Sequence, residues 1–409
     1  MLPQAGRAQA GTVYFSTDAC KASMLARLLV FLLTSSLALH IEHLGDEHAR
    51  IKQHRVSNNA VVHVAYATTP DGFPGLLHSM ISVARNFQGS MCHIHVIVAE
   101  DHMKKAAEVL ACFERDVANL TKSAQSAMVR SGTTASLHTM PDLPWDTSLM
   151  RTSAEGLARS WGHQDKLSQP TVFARFYLAQ ILRDLPRVLW LDVDTIVTTD
   201  VTKLYQTKLT HAVAARQVKK VVVGHEFKNW SCTKDLNQSH EFKSFNTGVM
   251  VLDLERWREG NFTHELERTA AACVTNDQPT FNIVFMDKVQ YFEKTWNTFA
   301  LGSTVKARTK REGNILHWSG PVKPWSEPAK CSAPGVRDND TDCLSAENHA
   351  DYDAYAPSQE CPAIRPGPPA DAREHLVALA AERSHARARS RALAGAAWSG
   401  LALLASRCW

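Results

Sequence analysis

No CxxC pair occurs anywhere in the 409 residues, which argues against a zinc ribbon. No block of like charge interrupts the middle of the chain, and the net charge is only +4, so no nucleic-acid partner is expected. No apolar run reaches the roughly 20 residues of a comfortable membrane-spanning helix. No internal repeat is present. What is there is ample apolar content, 44% of the residues, enough for a large α/β domain with appendages or for two or three domains.

The N-terminus reads as an address. Residues 24–39, "MLARLLVFLLTSSLAL", carry Arg27 ahead of an apolar core from Leu28 to Leu33, with Lys21 just upstream and small residues at Ser36 and Ala38. That layout predicts a secretory signal, either cleaved or kept as a short anchor. The competing reading is a buried core helix. N-x-S/T triplets at Asn119, Asn229, Asn237, Asn261 and Asn339, together with nine cysteines, suit an oxidising lumen.

Strand and helix patterns then alternate. "VVHVAYA" (61–67) and "HIHVIVAED" (93–101) predict strands, each followed by an apolar helical repeat at 76–87 and 103–120. Residues 121–168 are Ser/Thr-rich and predict a long loop. A helix is expected over 172–185, a strand at "RVLWLDVD", a strand and helix start over 246–259, and a helix from Asp277. This alternation predicts a parallel α/β sheet. Residues 1–23 form a lead, 40–57 a polar, His-rich stem, 331–370 a Cys/Pro-rich linker, and 371–409 an Ala/Arg-rich tail.

The chemistry centres on "LDVDTIVTTD", residues 191–200. Asp192 and Asp194 close a predicted parallel strand, and open α/β sheets bind ligands at such strand ends. In an extended segment residues two apart point the same way, so both carboxylates would reach one divalent cation. The bland alternative has one aspartate capping a turn and the other solvated. A sharper rival is the apolar-D-x-D-x-T pattern of haloacid-dehalogenase-type phosphohydrolases, in which the first aspartate attacks phosphorus. That pattern usually opens its domain, whereas here more than a hundred residues of α/β sequence precede it, and no later G-D-x-x-D motif completes it. A second stretch, "LHWSGPVKPW" (316–325), offers His317 as a third ligand, and imidazole with carboxylates suits Mn²⁺. Lys323 is a point charge fit for a phosphate, and Gly320 leaves backbone free to approach one. For His317 and Trp318 the plain alternative is core packing.

"FARFYLAQIL", "RVLWLDVDTIVTTDVTKLY", "FNTGVMVLDLERWR", "DQPTFN", "WNTFALG" and "HWSGPVKPW" follow one another in order. Together they resemble glycosyltransferase family 8, nearest its plant galacturonosyltransferase-like branch, over roughly residues 58–327, within a catalytic domain expected over 58–330. The resemblance implies a GT-A fold: α/β, Rossmann-like, with a mainly parallel sheet and flanking helices. It implies a retaining transferase that moves a hexosyl or uronosyl group from a UDP-sugar to a glycan or glycoconjugate acceptor with Mn²⁺. Asp192, Asp194 and His317 match the metal ligands, and Lys323 and Gly320 match positions that touch the diphosphate. Arg175 matches a basic residue near the donor; Asn246, Asp277 and Gln278 match positions lining the sugar. Ala67, Thr68 and Thr69 match the nucleotide-binding first loop, with Phe73 against uracil. Some relatives are acidic where this chain has Thr69 and Pro70, although Asp71 remains. For retention, Gln278 is a poor nucleophile and Asp277 a better one, while front-face attack needs neither. A nucleotide-sugar-binding protein without turnover is the third reading. The resemblance, the apolar run, the triplets and the cysteines together predict a lumenal catalytic domain, in the Golgi, with membrane contact only through an N-terminal anchor.

Overall fold

β1, Val61–Ala67, is apolar at both edges of its pleat, so it demands cover on both faces. A computed structural model, which describes residues 61–122, 132–145, 169–228, 230–302, 312–320, 322–326 and 346–364, supplies that cover. The other strands are β2 (Met91–Val98), β3 (Gly132–Thr139), β4 (Arg187–Leu191), β5 (Thr195–Val197), β6 (Val213–Val222), β7 (Glu241–Asp253), β8 (Val289–Tyr291) and β9 (Ile315–His317). The larger helices are α1 (Phe73–Asn86), α2 (Met103–Lys122), α3 (Leu254–Glu259), α4 (Phe262–Cys273), α5 (Asp277–Val284) and α6 (Ala346–Asp353).

Seven strands form one sheet in the order β3-β2-β1-β4-β7-β6-β8. β2 pairs with β3, β1 with β4 and β6 with β8 in parallel, while β7 runs against both β4 and β6. Alternation sorts the side chains. Val62, Val64, Tyr66, Leu189, Leu191, Val249 and Val251 point to the face covered by α1 and α2. Ala65, Val188, Trp190, Met250 and Leu252 point to the other, where Phe173, Phe176, Trp257 and Phe281 pack. β5 and β9 pair antiparallel beside the main sheet.

Several expectations need correction. Part of the 121–168 loop is β3: its "GTTASLHT" has no apolar alternation, and it is a strand because β2 offers a complete parallel ladder from Met91 to Val98. The helix expected over 172–185 is a 3₁₀ segment, Pro170–Phe176, followed by one α-turn, Leu178–Ile181. A three-residue period brings Phe173 and Phe176 together edge to face, with ring centroids 5.4 Å apart. The linker is not all linker: α6 and the turn at Pro362–Ile364 pack on the domain, with Tyr352, Cys361 and Ala363 buried and Cys361 bonded to Cys112. A second disulfide joins Cys232 to Cys273. Among the described residues no helix is long and apolar enough to cross a membrane. The run at 24–39, the stem and the tail lie outside the described residues, as do Asn229 and Asn339; Asn237 and Asn261 are exposed.

One face of β1–β3 carries His63, His93, His95 and His138. His63 Nδ1 lies 3.1 Å from His95 Nε2, and His95 Nδ1 lies 3.0 Å from His138 Nε2. Burial, reinforced by the neighbouring ring of His93, pulls His63 down to about 4. Such a group stays neutral in the fold while the unfolded chain takes up a proton below its ordinary value of 6.5. Stability should therefore be complete above about pH 6.5 and fall as pH drops toward 4, by on the order of 3 kcal/mol for His63 alone. Thermal melts between pH 7 and 5 check this: a His63→Asn/His95→Asn variant should lose much less across that interval than the wild type.

Candidate active site

β4 ends at Leu191 because the chain turns there: Thr195 N–H and Oγ1 both donate to Asp192 O, at 3.2 and 2.7 Å. The two aspartates thus sit on a turn, not on the extended segment expected, and still converge. The turn leads into β5, whose Thr195 stands opposite His317 of β9. Trp318 N–H donates to Asp194 O at 2.8 Å and fixes that register. A residue more than a hundred positions away is thereby delivered to the D-x-D turn. One ligand atom each from Asp192, Asp194 and His317 lies within 4.8 Å of the others, a spacing that suits one cation.

The protonation of His317 follows from a backbone group. Gly248 N–H donates to Asn246 Oδ1 at 3.0 Å, so that oxygen is the acceptor end of the amide. Asn297 must then face it with Nδ2, at 2.8 Å, which turns Asn297 Oδ1 toward His317 Nδ1 at 3.0 Å. His317 therefore carries a proton on Nδ1, which leaves Nε2 as the nitrogen a metal would take. That Nε2 faces Asp194 Oδ1 at 3.2 Å and Asp192 Oδ2 at 3.8 Å. With the ring neutral, three electron-pair donors converge there, a set that suits a cation, and an acceptor placed as Asn297 Oδ1 is on Nδ1–H orients a ligating imidazole. Gly248 keeps the place open: a Cβ there would lie 2.2 Å from His317 Cε1 and 2.8 Å from Asp192 Oδ2. The donor set fits a divalent metal.

Cations flank the acids. Lys323 Nζ contacts Asp194 Oδ2 and donates to Trp318 O at 3.0 Å. Burial alone would raise the Asp194 carboxyl, but Lys323 and then His317 hold it below the usual carboxylate range. Arg175, buried over the Trp190 ring, spans Asp192 Oδ1 and Asp277 Oδ2, both at 2.9 Å. Asp277 is itself buried and accepts from Thr247 Oγ1; burial raises its carboxyl despite Arg175. Gln278 is exposed, with Oε1 accepting from Asn246 Nδ2 at 3.0 Å.

The first loop joins this rim. Thr68 Oγ1 donates to Thr69 O, Thr69 Oγ1 contacts Asp71, and the Trp325 indole donates to Asp71 O at 2.9 Å. Ala67 packs against the core at the strand end. Gly320, with φ at 126°, makes the turn between His317 and Lys323 that a side chain would strain. Phe73 is a correction: it is fully buried among Leu76, Leu77 and Met80, so it stacks on the core and not on a base. Sequence reasoning assigned nothing to Asn297, Gly248 or Thr247, although "WNTFALG" and "FNTGVM" contain them. Asn297→Ala should weaken divalent-cation binding by about 10- to 100-fold. Asn297→Asp, which keeps the acceptor for Nδ1–H, should lose less. Calorimetric titration with the metal checks both.

Residues 63–329, more than half of the chain, match the model of glycosyl transferase family 8. "Probable galacturonosyltransferase-like 8" of Arabidopsis thaliana is 30% identical over 272 residues, 62% of this chain and 67% of that protein. "Probable galacturonosyltransferase-like 7" of the same plant is 30% identical over 286 residues, 62% of this chain and 71% of that one. Other curated relatives are matched over only about half their length. A crystal structure of the galactosyltransferase LgtC with donor and acceptor sugar analogues is 17% identical, with a TM-score of 0.47, over 73% of this chain and 98% of that one. The α/β sheet, its flanking helices and the acidic turn at the end of β4 agree with that assignment, and this chain belongs to glycosyl transferase family 8.

Proposed function

We propose that this glycosyltransferase moves a hexosyl or uronosyl group, with retention, from a UDP-sugar to a carbohydrate or glycoconjugate acceptor, with Mn²⁺ held by Asp192, Asp194 and His317. The observation that carries the reading is the triad, with His317 Nε2 turned to both aspartates and Lys323 beside them. When bound, the ion supplies Lewis-acid stabilisation of the diphosphate. Lys323 adds a fixed positive charge beside the leaving group, and Gly320 lets backbone approach it. Ala67, Thr68 and Thr69 line the nucleotide side of the rim; Arg175, Asn246, Asp277 and Gln278 line the sugar side.

Front-face transfer is the mechanism this arrangement favours. Asp277 is buried and its carboxylate is tied to Arg175 and Thr247, which sets it against acting as a free nucleophile. Gln278 keeps its carbonyl on Asn246. The acceptor oxygen bonds to the anomeric carbon on the side from which the diphosphate leaves, the C–O bond to phosphate breaks, and the acceptor proton passes to the leaving phosphate oxygen. The phosphohydrolase reading fits less well, because the third group beside the aspartates is His317 and not another acid.

The test is release of UDP from a panel of UDP-galacturonate, -galactose, -glucose and -xylose with Mn²⁺ and glycan acceptors. Release with product formation supports the proposal. UDP binding without release from any donor leaves a silent binder, and ester hydrolysis with Mg²⁺ alone reverses the assignment. A lumenal, Golgi setting is part of the same proposal, supported by the Cys112–Cys361 and Cys232–Cys273 disulfides and by exposed Asn237 and Asn261. A mobility shift on N-glycan removal tests it.

A further inference from the structure

Residues 346–364 lie beyond the stretch that matches the family, yet they are fastened to the domain at several points. Cys361 is bonded to Cys112 on α2. Arg85 on α1 donates to Ala354 O at 2.8 Å and to Ala356 O at 3.1 Å. Asn86 Nδ2 donates to the Tyr355 hydroxyl at 3.0 Å and to Val197 O on β5 at 2.9 Å, so one amide ties this segment to the strand that follows the D-x-D turn.

The segment buries one ring at the back of the active site. Tyr352 is 4% exposed and stacks on His78 at 4.0 Å between centroids. It also meets the rings of Trp318 at 6.3 Å and Trp325 at 6.0 Å. Those tryptophans bracket Lys323. Trp318 holds Asp194 through its N–H and accepts Lys323 Nζ on its carbonyl, while Trp325 is pinned to the first loop at Asp71 O. The Tyr352 hydroxyl is buried with no partner among the described residues, so the ring and not its polar end carries the packing there.

We propose that residues 346–364 form a disulfide-fastened brace, and that Tyr352 is a positioning residue which sets Lys323 against Asp194 by packing behind Trp318 and Trp325. The role assigned to Lys323 in turnover rests on the transferase reading; the brace itself does not. Without the Tyr352 ring the two indoles lose their common backing, and the Lys323 amine gains freedom to leave Asp194 and Trp318 O. The alternative, that the segment only adds global stability, makes a different forecast at Lys323.

The experiment needs no sugar nucleotide. Full-length, ligand-free protein is treated with a limiting amine-acylating ester, and modification of Lys323 is followed by mass spectrometry with exposed Lys219 as internal standard. Lys323 should react slowly in wild type and in Tyr352→Phe, and several-fold faster in Tyr352→Ala and Cys361→Ser, with Lys219 unchanged. Should Tyr352→Ala fail to fold, Tyr352→Leu takes its place. Equal Lys323 rates in wild type and the ring-less variants overturn the proposal, as does a rise at Lys219 in step with Lys323. If transfer is observed, a second readout follows: Tyr352→Ala should lower kcat more than it raises the donor KM, and adding it to Lys323→Ala should cost nothing further. Additive losses would mean that Tyr352 acts elsewhere. Absence of transfer in wild type would count against the proposed function while leaving the labelling result to decide on the brace.

Discussion

Asp192→Ala is expected to lower transfer by about a thousandfold or more, since it removes one of the anions that hold the cation on which leaving-group stabilisation depends. The fold should survive. Asp192 is partly exposed, and its partner Arg175 keeps a second carboxylate in Asp277. Asp194 is the harsher position, because it is buried between His317 and Lys323 and its removal strands both. Asp194→Asn therefore makes the better companion, with similar loss of activity and a smaller fall in melting temperature. EDTA should imitate either change, and Mn²⁺ should restore the wild type alone. Full activity in EDTA, or melting temperatures that collapse with activity, would remove the metal from the account.

Lys323→Ala comes next in size. A donor aimed at developing charge is worth about 2–4 kcal/mol, a loss in kcat on the order of 10²- to 10³-fold, with weaker UDP binding alongside. Trp325→Phe is the control. It keeps an aromatic ring against Tyr352 and gives up only the indole bond to Asp71 O, a loss of about 1 kcal/mol. Steady-state kinetics and calorimetry on the two variants separate the cases. Equal damage from both would mark "KPW" as a structural motif.

Much of this was legible in the chain. β1 and β2 declare themselves by β-branched residues, α1 and α2 by apolar spacing, and the acids at the end of "RVLWL" by where α/β sheets bind ligands. His317 and Lys323 stood out because their residue types complete a metal and phosphate site. The illegible parts are those settled by distant partners. β3 is a strand only because β2 lies beside it. "FARFYLAQIL" carries helical residues, yet the edge-to-face packing of Phe173 and Phe176 and the reach of Arg175 override the propensity. Phe73 looked available because it follows the first loop, but α1 begins there and turns it inward. Asn297 left no local signal: its amide matters through Asn246 and Gly248, about fifty residues away on β7.

The Cys112–Cys361 bond also imposes a timetable on synthesis. Its sulfurs are separated by 249 residues. At about 5–20 residues per second, Cys112 emerges roughly 12–50 s before its partner is translated. His317 likewise follows Asp194 by more than a hundred residues, so the first half of the sheet is made before the site can hold a metal. The nascent domain carries an unpaired thiol at position 112 throughout that wait, and a ribosome-stalled chain ending near residue 300 should have Cys112 reactive to alkylation, where the finished protein has it sealed.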